Sequence, residues 1–338
     1  MVRKLRPPFA PMEALSVDEV PAGPEWQYEP KWDGFRCLVF RDGDTVTLQS
    51  KAGKPLTRYF PDVVEAVRRL SAQHFVLDGE IVVPEGKVFS FDALLQRIHP
   101  AASRIQKLAK ETPALLIVFD LLADGKAVLV DDPLTARRKR LEAFARRQFS
   151  KKGRVRLSPA TTKLAEAKKW LTRVGATLDG IIAKRRDLTY RTGMQKIKNH
   201  RSADCVVGGF RYNEGKPMVG SLLLGLYDGD GKLNHVGFTS SIPREDKPEL
   251  TKKLEKLIGP PGFTGNAPGG PSRWSTARSA EWQPLEPRLV VEVSYDRFSG
   301  DRFRHGTRLM RWRPDKSPKQ CTMDQVAQKK ADLLKLLK

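Results

Sequence analysis

No apolar run in this chain is long enough to form a membrane span. The longest, Pro113 to Ala123, is short, and Asp120 interrupts it. A core must therefore be assembled from many short strands and amphipathic helices. With 338 residues, 40% of them apolar, the chain has enough material for about two domains of ordinary size. Its charge narrows the function. Lys and Arg number 61 against 39 Asp and Glu, a formal net charge of +22. A surplus of that size repels itself unless a polyanion uses it, so nucleic acid is the expected partner. The same short apolar runs disfavour a membrane partner. The start of the chain, MVRKLRPPFAPM, is basic, carries two adjacent prolines and does not read as a signal peptide. Cys37, Cys205 and Cys321 are scattered and odd in number, offering neither a disulfide framework nor a zinc cluster. A reducing cytoplasm is the expected location.

The first half mixes strands and helices. Trp26 to Val39 and Thr45 to Leu48 read as strands, with a turn at Asp42-Gly43. Pro61 to Leu70 has helical period, with Val63, Val64, Val67 and Leu70 on one face. Buried strands are expected at Phe75 to Val83 and Leu115 to Leu121. Asp132-Pro133 reads as a helix start with Asp at the N-cap. The run from Arg137 to Arg154 carries nine basic residues and one acid, Glu142, and reads either as a solvated helix face or as a DNA contact. Its apolar side is Leu134, Leu141, Phe144 and Ala145.

A second composition begins near Ala203, placing the boundary at about residues 198–204 and the domains at 1–202 and 203–338. Strands are expected at Asp204 to Tyr212, Ser221 to Tyr227, Arg288 to Tyr295 and Arg308 to Arg313, with one helix at Lys247 to Leu257 and a Pro/Gly loop from Gly259 to Pro271. Short strands, glycine turns and a single helix suggest a small β-barrel of the OB type. Thr322 to Gln325 resembles a capping box ahead of a C-terminal helix. The fold class is therefore α+β. Trp26, Trp170, Trp274 and Trp282 read as packing residues, and Cys37 as core.

Lys31, in Glu29-Pro-Lys31-Trp-Asp33-Gly34-Phe-Arg36, is by itself an ordinary surface charge. A lysine becomes a nucleophile only when burial or neighbouring cations remove its proton. Other chemistry-bearing residues recur in suitable places. Lys184 ends a strand-like run, and Lys196 and Lys198 alternate around Ile197, so both face one side of a strand. Asp78-Gly79-Glu80 and Phe119-Asp120 put carboxylates in apolar strands, where they must be paired, hydrogen-bonded or bound to metal. Lysines on strands, carboxylates and an aromatic face together suit a nucleoside triphosphate.

Lys31-Trp-Asp33-Gly34-Phe-Arg36 resembles the KxDGxR signature of the covalent nucleotidyltransferases: DNA ligases, RNA ligases and mRNA capping enzymes. Asp78-Gly79-Glu80, Phe119-Asp120, Asp179-Gly-Ile-Ile-Ala-Lys184 and Lys196-Ile-Lys198 resemble the later motifs in order. Arg313-Pro-Asp315-Lys316 resembles the family's element on its OB domain. The matches run from residue 29 to 316 and are most similar to small bacterial ATP-dependent DNA ligases, the C-type enzymes and the ligase module of D-type repair enzymes.

The resemblance implies an N-terminal nucleotidyltransferase (adenylation) domain with antiparallel sheets and flanking helices, then an OB-fold. It implies Lys31 as the residue that takes AMP from ATP, with Asp33 among the catalytic groups and Lys196 and Lys198 holding the α-phosphate and helping to keep Lys31 unprotonated. Glu29, Glu80, Phe119 and Lys184 would contact the nucleotide: Glu80 at the ribose, Phe119 stacked on adenine, Lys184 near the phosphate. Arg36 would lie near the 5′-phosphate of a nick, with Ser50 and Lys51 on DNA. Asp179 and Glu80 would hold Mg²⁺ or Mn²⁺, and Arg313, Asp315 and Lys316 would orient pyrophosphate. The substrates implied are ATP and nicked double-stranded DNA. The resemblance further implies a bacterial, nucleoid-associated monomer, with a repair polymerase or end-binding protein as the kind of partner. Two positions depart from the family: Asp179 stands where most relatives have Glu, and Ser50-Lys51-Ala-Gly replaces Ser-Arg-Asn-Gly. RNA ligation, capping chemistry and non-catalytic DNA binding are the competing readings.

Overall fold

The structure, a computed structural model, describes residues 5–173, 178–198, 201–269, 281–327 and 332–337, without the side chains of 172, 173 and 198. The chain divides into two compact units, Met1–Asn199 together with Lys329–Lys338, and His200–Gln328.

The first unit runs β1 (Leu15–Ser16), β2 (Trp26–Lys31), β3 (Phe35–Asp42), β4 (Thr45–Ser50), α1 (Pro61–Arg68), β5 (His74–Val82), a small hairpin of β6 (Pro84–Glu85) and β7 (Val88–Phe89), α2 (Phe91–Gln96), α3 (Ala102–Glu111), β8 (Leu115–Asp124), β9 (Ala127–Val128), α4 (Leu134–Gln148), β10 (Val155–Leu157), α5 (Leu164–Arg173), β11 (Gly180–Arg185) and β12 (Met194–Lys198). These strands form two main sheets. The larger has the order β10-β8-β5-β3-β4, with β9 paired to β8, and the smaller has the order β1-β12-β11-β2. Pairing is antiparallel except for β10 on β8 and β1 on β12.

The larger sheet is buried on both faces, which is why β8 reads as a nearly continuous apolar run. On one face Val39, Leu48, Leu77 and Leu116 pack with Val63, Val64 and Val67 of α1 and Leu141 and Phe144 of α4. Each such side chain, fully buried, contributes about 1.5–3 kcal/mol. Side-chain alternation sends Leu38, Phe40 and Val76 to the other face, with Met12, Tyr190 and Met194. Ile117 and Val82 join Trp26, Tyr28, Ile181, Ala183 and Ile197 of the smaller sheet, along with Trp170.

The second unit runs β13 (Arg201–Asn213), β14 (Lys216–Tyr227), β15 (Leu233–Thr239), α6 (Lys247–Glu255), β16 (Gln283–Pro284), β17 (Val290–Tyr295), β18 (Phe298–Ser299), β19 (Arg302–Phe303) and β20 (Arg308–Trp312). Its sheet has the order β15-β14-β13-β17-β20, with β16 on β13. The outer strands meet at one end: Thr239 Oγ1 donates to the Thr307 carbonyl at 2.9 Å, and the Leu309 N–H donates to Ser241 Oγ at 2.7 Å. This is an OB-type curl, joined by a bridge between Thr239 and Thr307 rather than by a continuous closing ladder.

Several elements differ from the sequence reading. The strand expected from Trp26 to Val39 divides at Trp32–Gly34 into β2 and β3, which belong to different sheets. At α4 the N-cap is Pro133, in extended backbone and without a side-chain cap, rather than Asp132. Within the basic run, Arg137 and Arg138 are buried. Arg137 pairs with Asp120, and Arg138 donates to the Ser158 carbonyl at 3.0 Å, so these two are neither solvated face nor DNA contact. β15 was not expected, because Asn234, His235 and Gly237 break its apolar alternation. The capping box lies at Ser317 and Gln320, and Thr322 makes no side-chain cap bond. Whereas 203–338 was expected as one domain, residues 332–337 belong with the first unit: Leu333 and Leu337 form a 3₁₀ turn buried beside Trp170, and the Leu333 N–H donates to the Lys87 carbonyl at 2.9 Å. Trp26 and Trp170 are core residues and Trp282 packs against the second core, while Trp274 lies outside the described residues.

Candidate active site

One cleft in the first unit collects the chemistry. Glu29, Lys31, Lys184 and Lys196 reach it from the smaller sheet, and Arg36, Glu80 and Phe119 from the larger. Register explains the convergence: Glu29 pairs with Ile182, Ile182 with Lys196, and Lys184 with Gln27, so by strand alternation Glu29, Lys31, Lys184 and Lys196 share one face of the sheet. Lys31 ends β2, and the chain reverses through Gly34. A Cβ on Gly34 would lie 2.2 Å from the Ile81 carbonyl oxygen, a clash no ordinary side chain avoids, so glycine alone lets β3 start against β5.

Phe119 arrives by a β-bulge. Asp78 pairs with Asp120 and Gly79 with Val118, which leaves Phe119 without a partner on β5 and turns its ring towards the cleft. A Cβ on Gly79 would sit 2.7 Å from the Ile117 carbonyl oxygen, so this glycine also permits the close approach. Lys184 Nζ stands 4.7 Å and Arg36 Cζ 4.8 Å from the Phe119 ring centroid. The aromatic face is therefore surrounded by cations.

The charges are held in distinct pairs. Lys184 and Glu29, both almost fully buried, form an ion pair at 2.8 Å, and Gln27 Nε2 donates to Glu29 Oε1 at 2.8 Å. Arg36 makes a two-pronged bond to Asp78, with Nε to Oδ1 and Nη2 to Oδ2 both at 2.6 Å. The Tyr190 hydroxyl donates to the same carboxylate. Tyr190 in turn lies beneath Arg137, whose Cζ is 5.5 Å from its ring centroid, and Arg137 pairs with Asp120 through Nε to Oδ1 at 3.0 Å. Of the three carboxylates read as needing partners, Asp78 and Asp120 thus have them, while Glu80 feels the charges of Arg36 and Lys31.

Lys31 pairs with Asp179. Burial pulls the Lys31 ammonium down, but the charge and hydrogen bond of Asp179, aided by Glu80 and Asp33, outweigh it and hold the group above its ordinary value. The expectation that neighbouring lysines keep Lys31 unprotonated is therefore not met in this arrangement. Glu80 moves the opposite way for a carboxyl: burial pushes it up to about 7, against the pull of Arg36 and Lys31. Lys51 also lines the cleft and pairs with Glu13 at 3.2 Å, whereas Ser50 Oγ accepts from the Lys54 N–H at 3.0 Å in the turn after β4. Asp33 lies in the reversal between β2 and β3. Lys198 is on β12 opposite Gly180, but its side chain is outside the described ones. Arg313, Asp315 and Lys316 lie in the second unit, just beyond β20. Gln27 and Tyr190 had no motif to announce them: their importance lies in what they touch, not in spacing.

The pattern of the ATP dependent DNA ligase domain matches residues 11–199, and that of the ATP dependent DNA ligase C terminal region matches residues 215–316. The chain belongs to the ATP-dependent DNA ligase family. The ligase is 46% identical to DNA ligase C1 of Mycolicibacterium smegmatis over 95% of this chain and 94% of that protein. It is 31% identical to the multifunctional non-homologous end joining protein LigD of Mycobacterium bovis, over 87% of this chain and 37% of the longer protein. A solved structure of a Lig E DNA ligase covers 89% of this chain and 100% of its own at a TM-score of 0.52, with 14% identity, a likeness of fold alone. The ligase is thus an ATP-dependent DNA-joining enzyme with an adenylation domain and an OB-type domain. Readings as an RNA ligase, a capping enzyme or a non-catalytic DNA binder give way to it.

Proposed function

We propose that Lys31 is the nucleophile of a three-step nick-sealing reaction, carried by one observation: Lys31, Glu80, Phe119, Lys184 and Lys196 line a single cleft. In the first step Lys31 Nζ attacks the α-phosphorus of ATP, a phosphoramide bond forms, and pyrophosphate leaves. AMP then passes to the 5′-phosphate at a break, and the 3′-hydroxyl displaces it to close the strand. Each step is an in-line displacement at phosphorus, so the protein contributes mainly position and charge. Phe119 stacks on adenine beside the Glu29–Lys184 pair, and Glu80 receives the ribose hydroxyls. Lys184, Lys196 and Lys198 surround the phosphate, and Asp33 and Arg36 organise the nick. Ser50 and Lys51 extend that contact along DNA. Arg313, Asp315 and Lys316 orient the pyrophosphate. Lys31 must shed its proton before attack. Asp179 opposes this, and the charges of Lys196 and Lys198 favour it.

Among the described residues no group of three metal-binding side chains is assembled. Mg²⁺ needs no such cage, because one or two carboxylates plus substrate phosphates complete its oxygen shell. Asp179, in contact with Lys31, and Glu80, close enough to influence its charge, fit that sparse set. A bound Mg²⁺ or Mn²⁺ would neutralise phosphate charge there.

The enzyme works as a monomer on nicked duplex in break repair, beside a polymerase or an end-binding protein; the named end-joining role of the LigD relative supports that setting. Its place is the bacterial cytoplasm, on the nucleoid. Supporting this are three buried free cysteines, as a reducing compartment leaves them. Incubation with α-labelled ATP and divalent metal tests the central step. Acid-labile label on the wild-type chain, absent from Lys31→Ala, is the expected result. No label on protein shown by mass to be unadenylated overturns it.

A further inference from the structure

We propose that Asp204 is a positioning residue for the first step, holding Arg313 and Lys316 side by side as a fixed two-cation pair while Asp315 acts as the exchangeable partner. The proposal rests on the reading that Arg313 and Lys316 meet the pyrophosphate. Asp204 lies on β13 and is 8% exposed. Its two oxygens are divided between the two cations: Oδ1 accepts from Arg313 Nη1 at 2.9 Å, and Oδ2 from Lys316 Nζ at 2.6 Å. Its own backbone is gripped at both ends by one side chain. The Asp204 N–H donates to Gln325 Oε1 at 3.0 Å, and the Gln325 Nε2 donates to the Asp204 carbonyl at 3.1 Å. The strand neighbour Glu292 holds Arg311 at 2.7 Å and also stands 3.8 Å from Arg313 Nη1, adding a second carboxylate of the sheet beside Asp204.

Asp315 binds the same Arg313 guanidinium in two prongs, Nε to Oδ1 at 3.0 Å and Nη2 to Oδ2 at 2.9 Å, yet its side chain is 64% exposed where that of Asp204 is 11%. A carboxylate this exposed is shared with water, and a more highly charged anion can replace it on the guanidinium. A nearly buried carboxylate shared by two cations does not, because its loss leaves those like charges facing each other. One guanidinium thus has lasting partners on the sheet, Asp204 close and Glu292 farther off, and a releasable one in Asp315. The β- and γ-phosphates of an incoming ATP, the future pyrophosphate, can take the place of Asp315 on Arg313 and find both cations already placed.

The test uses the full chain with Asp204→Asn, Asp204→Ala and Asp204→Glu, beside Arg313→Ala and Lys316→Ala. Two rates are measured on each: single-turnover adenylation against ATP concentration, and sealing of a nicked duplex that already carries 5′-AMP. Asp204→Asn is expected to slow adenylation at saturating ATP by about tenfold or more, the loss of charged hydrogen bonds. It should leave sealing of the pre-adenylated nick within about twofold, with the variant still folded at the assay temperature even if its thermal midpoint falls. Asp204→Glu is expected to recover part of the lost rate. Unchanged or faster adenylation in Asp204→Asn, with Arg313→Ala slow, overturns the proposal, and so does an equal loss of both reactions together with the fold. If Arg313→Ala and Lys316→Ala themselves leave adenylation intact, the reading beneath it fails instead.

Discussion

Phe119 shows how much of a site can rest on one unpaired residue. It sits in an apolar run that could have buried it, and only the bulge between Asp78 and Gly79 turns it out. Replacing its ring should therefore affect nucleotide binding and not folding. Phe119→Ala is expected to raise the KM for ATP in the labelling assay roughly tenfold, within the ~1–3 kcal/mol of base stacking, while Phe119→Tyr stays near wild type. Tyr190 is the contrasting case, buried and hydrogen-bonded to the carboxylate that orients Arg36. Tyr190→Phe removes one of the two donors to Asp78 Oδ2, the other being Arg36 Nη2, and denaturant titration should show the loss of a hydrogen bond to a charged group, about 1–3 kcal/mol. The sequence made Lys31, Glu80 and Phe119 legible because they sit in spaced motifs. It did not reveal Tyr190, since a hydrogen bond between residues 78 and 190 leaves no local pattern. Nor did it reveal that Asp179 governs the charge of Lys31, which depends on a contact across 148 positions.

At the scale of elements, periodic segments were the readable ones. The face of α1 carrying Val63, Val64 and Val67 is buried as its spacing requires. β15 was missed for a physical reason: its alternation is broken by His235 and by Gly237, whose φ of 151° few other residues adopt. His235 gives that strand a pH dependence. Burial, reinforced by Arg302 and Arg211, lowers its pKa to about 4. The unfolded chain binds a proton near 6.5 and the folded one does not, so this stabilisation is present above about pH 6.5 and is lost as pH falls towards 4. The effect is bounded at roughly 3 kcal/mol. Thermal midpoints between pH 7.5 and 4.5 should fall further for the wild type than for His235→Phe, whose ring keeps the contact with Phe263. Parallel curves would remove His235 as the cause.

For the whole molecule, the +22 charge governs association with a polyanion. Six to ten phosphate contacts would cost about 10³–10⁵ in affinity between 50 and 200 mM salt. Filter binding of Lys31→Ala to nicked duplex should show that slope with little dependence on sequence. Charge of this kind was readable from composition, but its distribution was not, because Arg137 and Arg138 are spent inside the fold. That expenditure has a historical consequence. Arg36, Asp78, Tyr190, Arg137 and Asp120 form a relay in which each member's neighbour is the next. Contacting positions do not add independently. Along this relay the effect of a substitution at one link is therefore expected to depend on which residue already occupies the next, so that the order in which changes arrive decides which of them the fold tolerates.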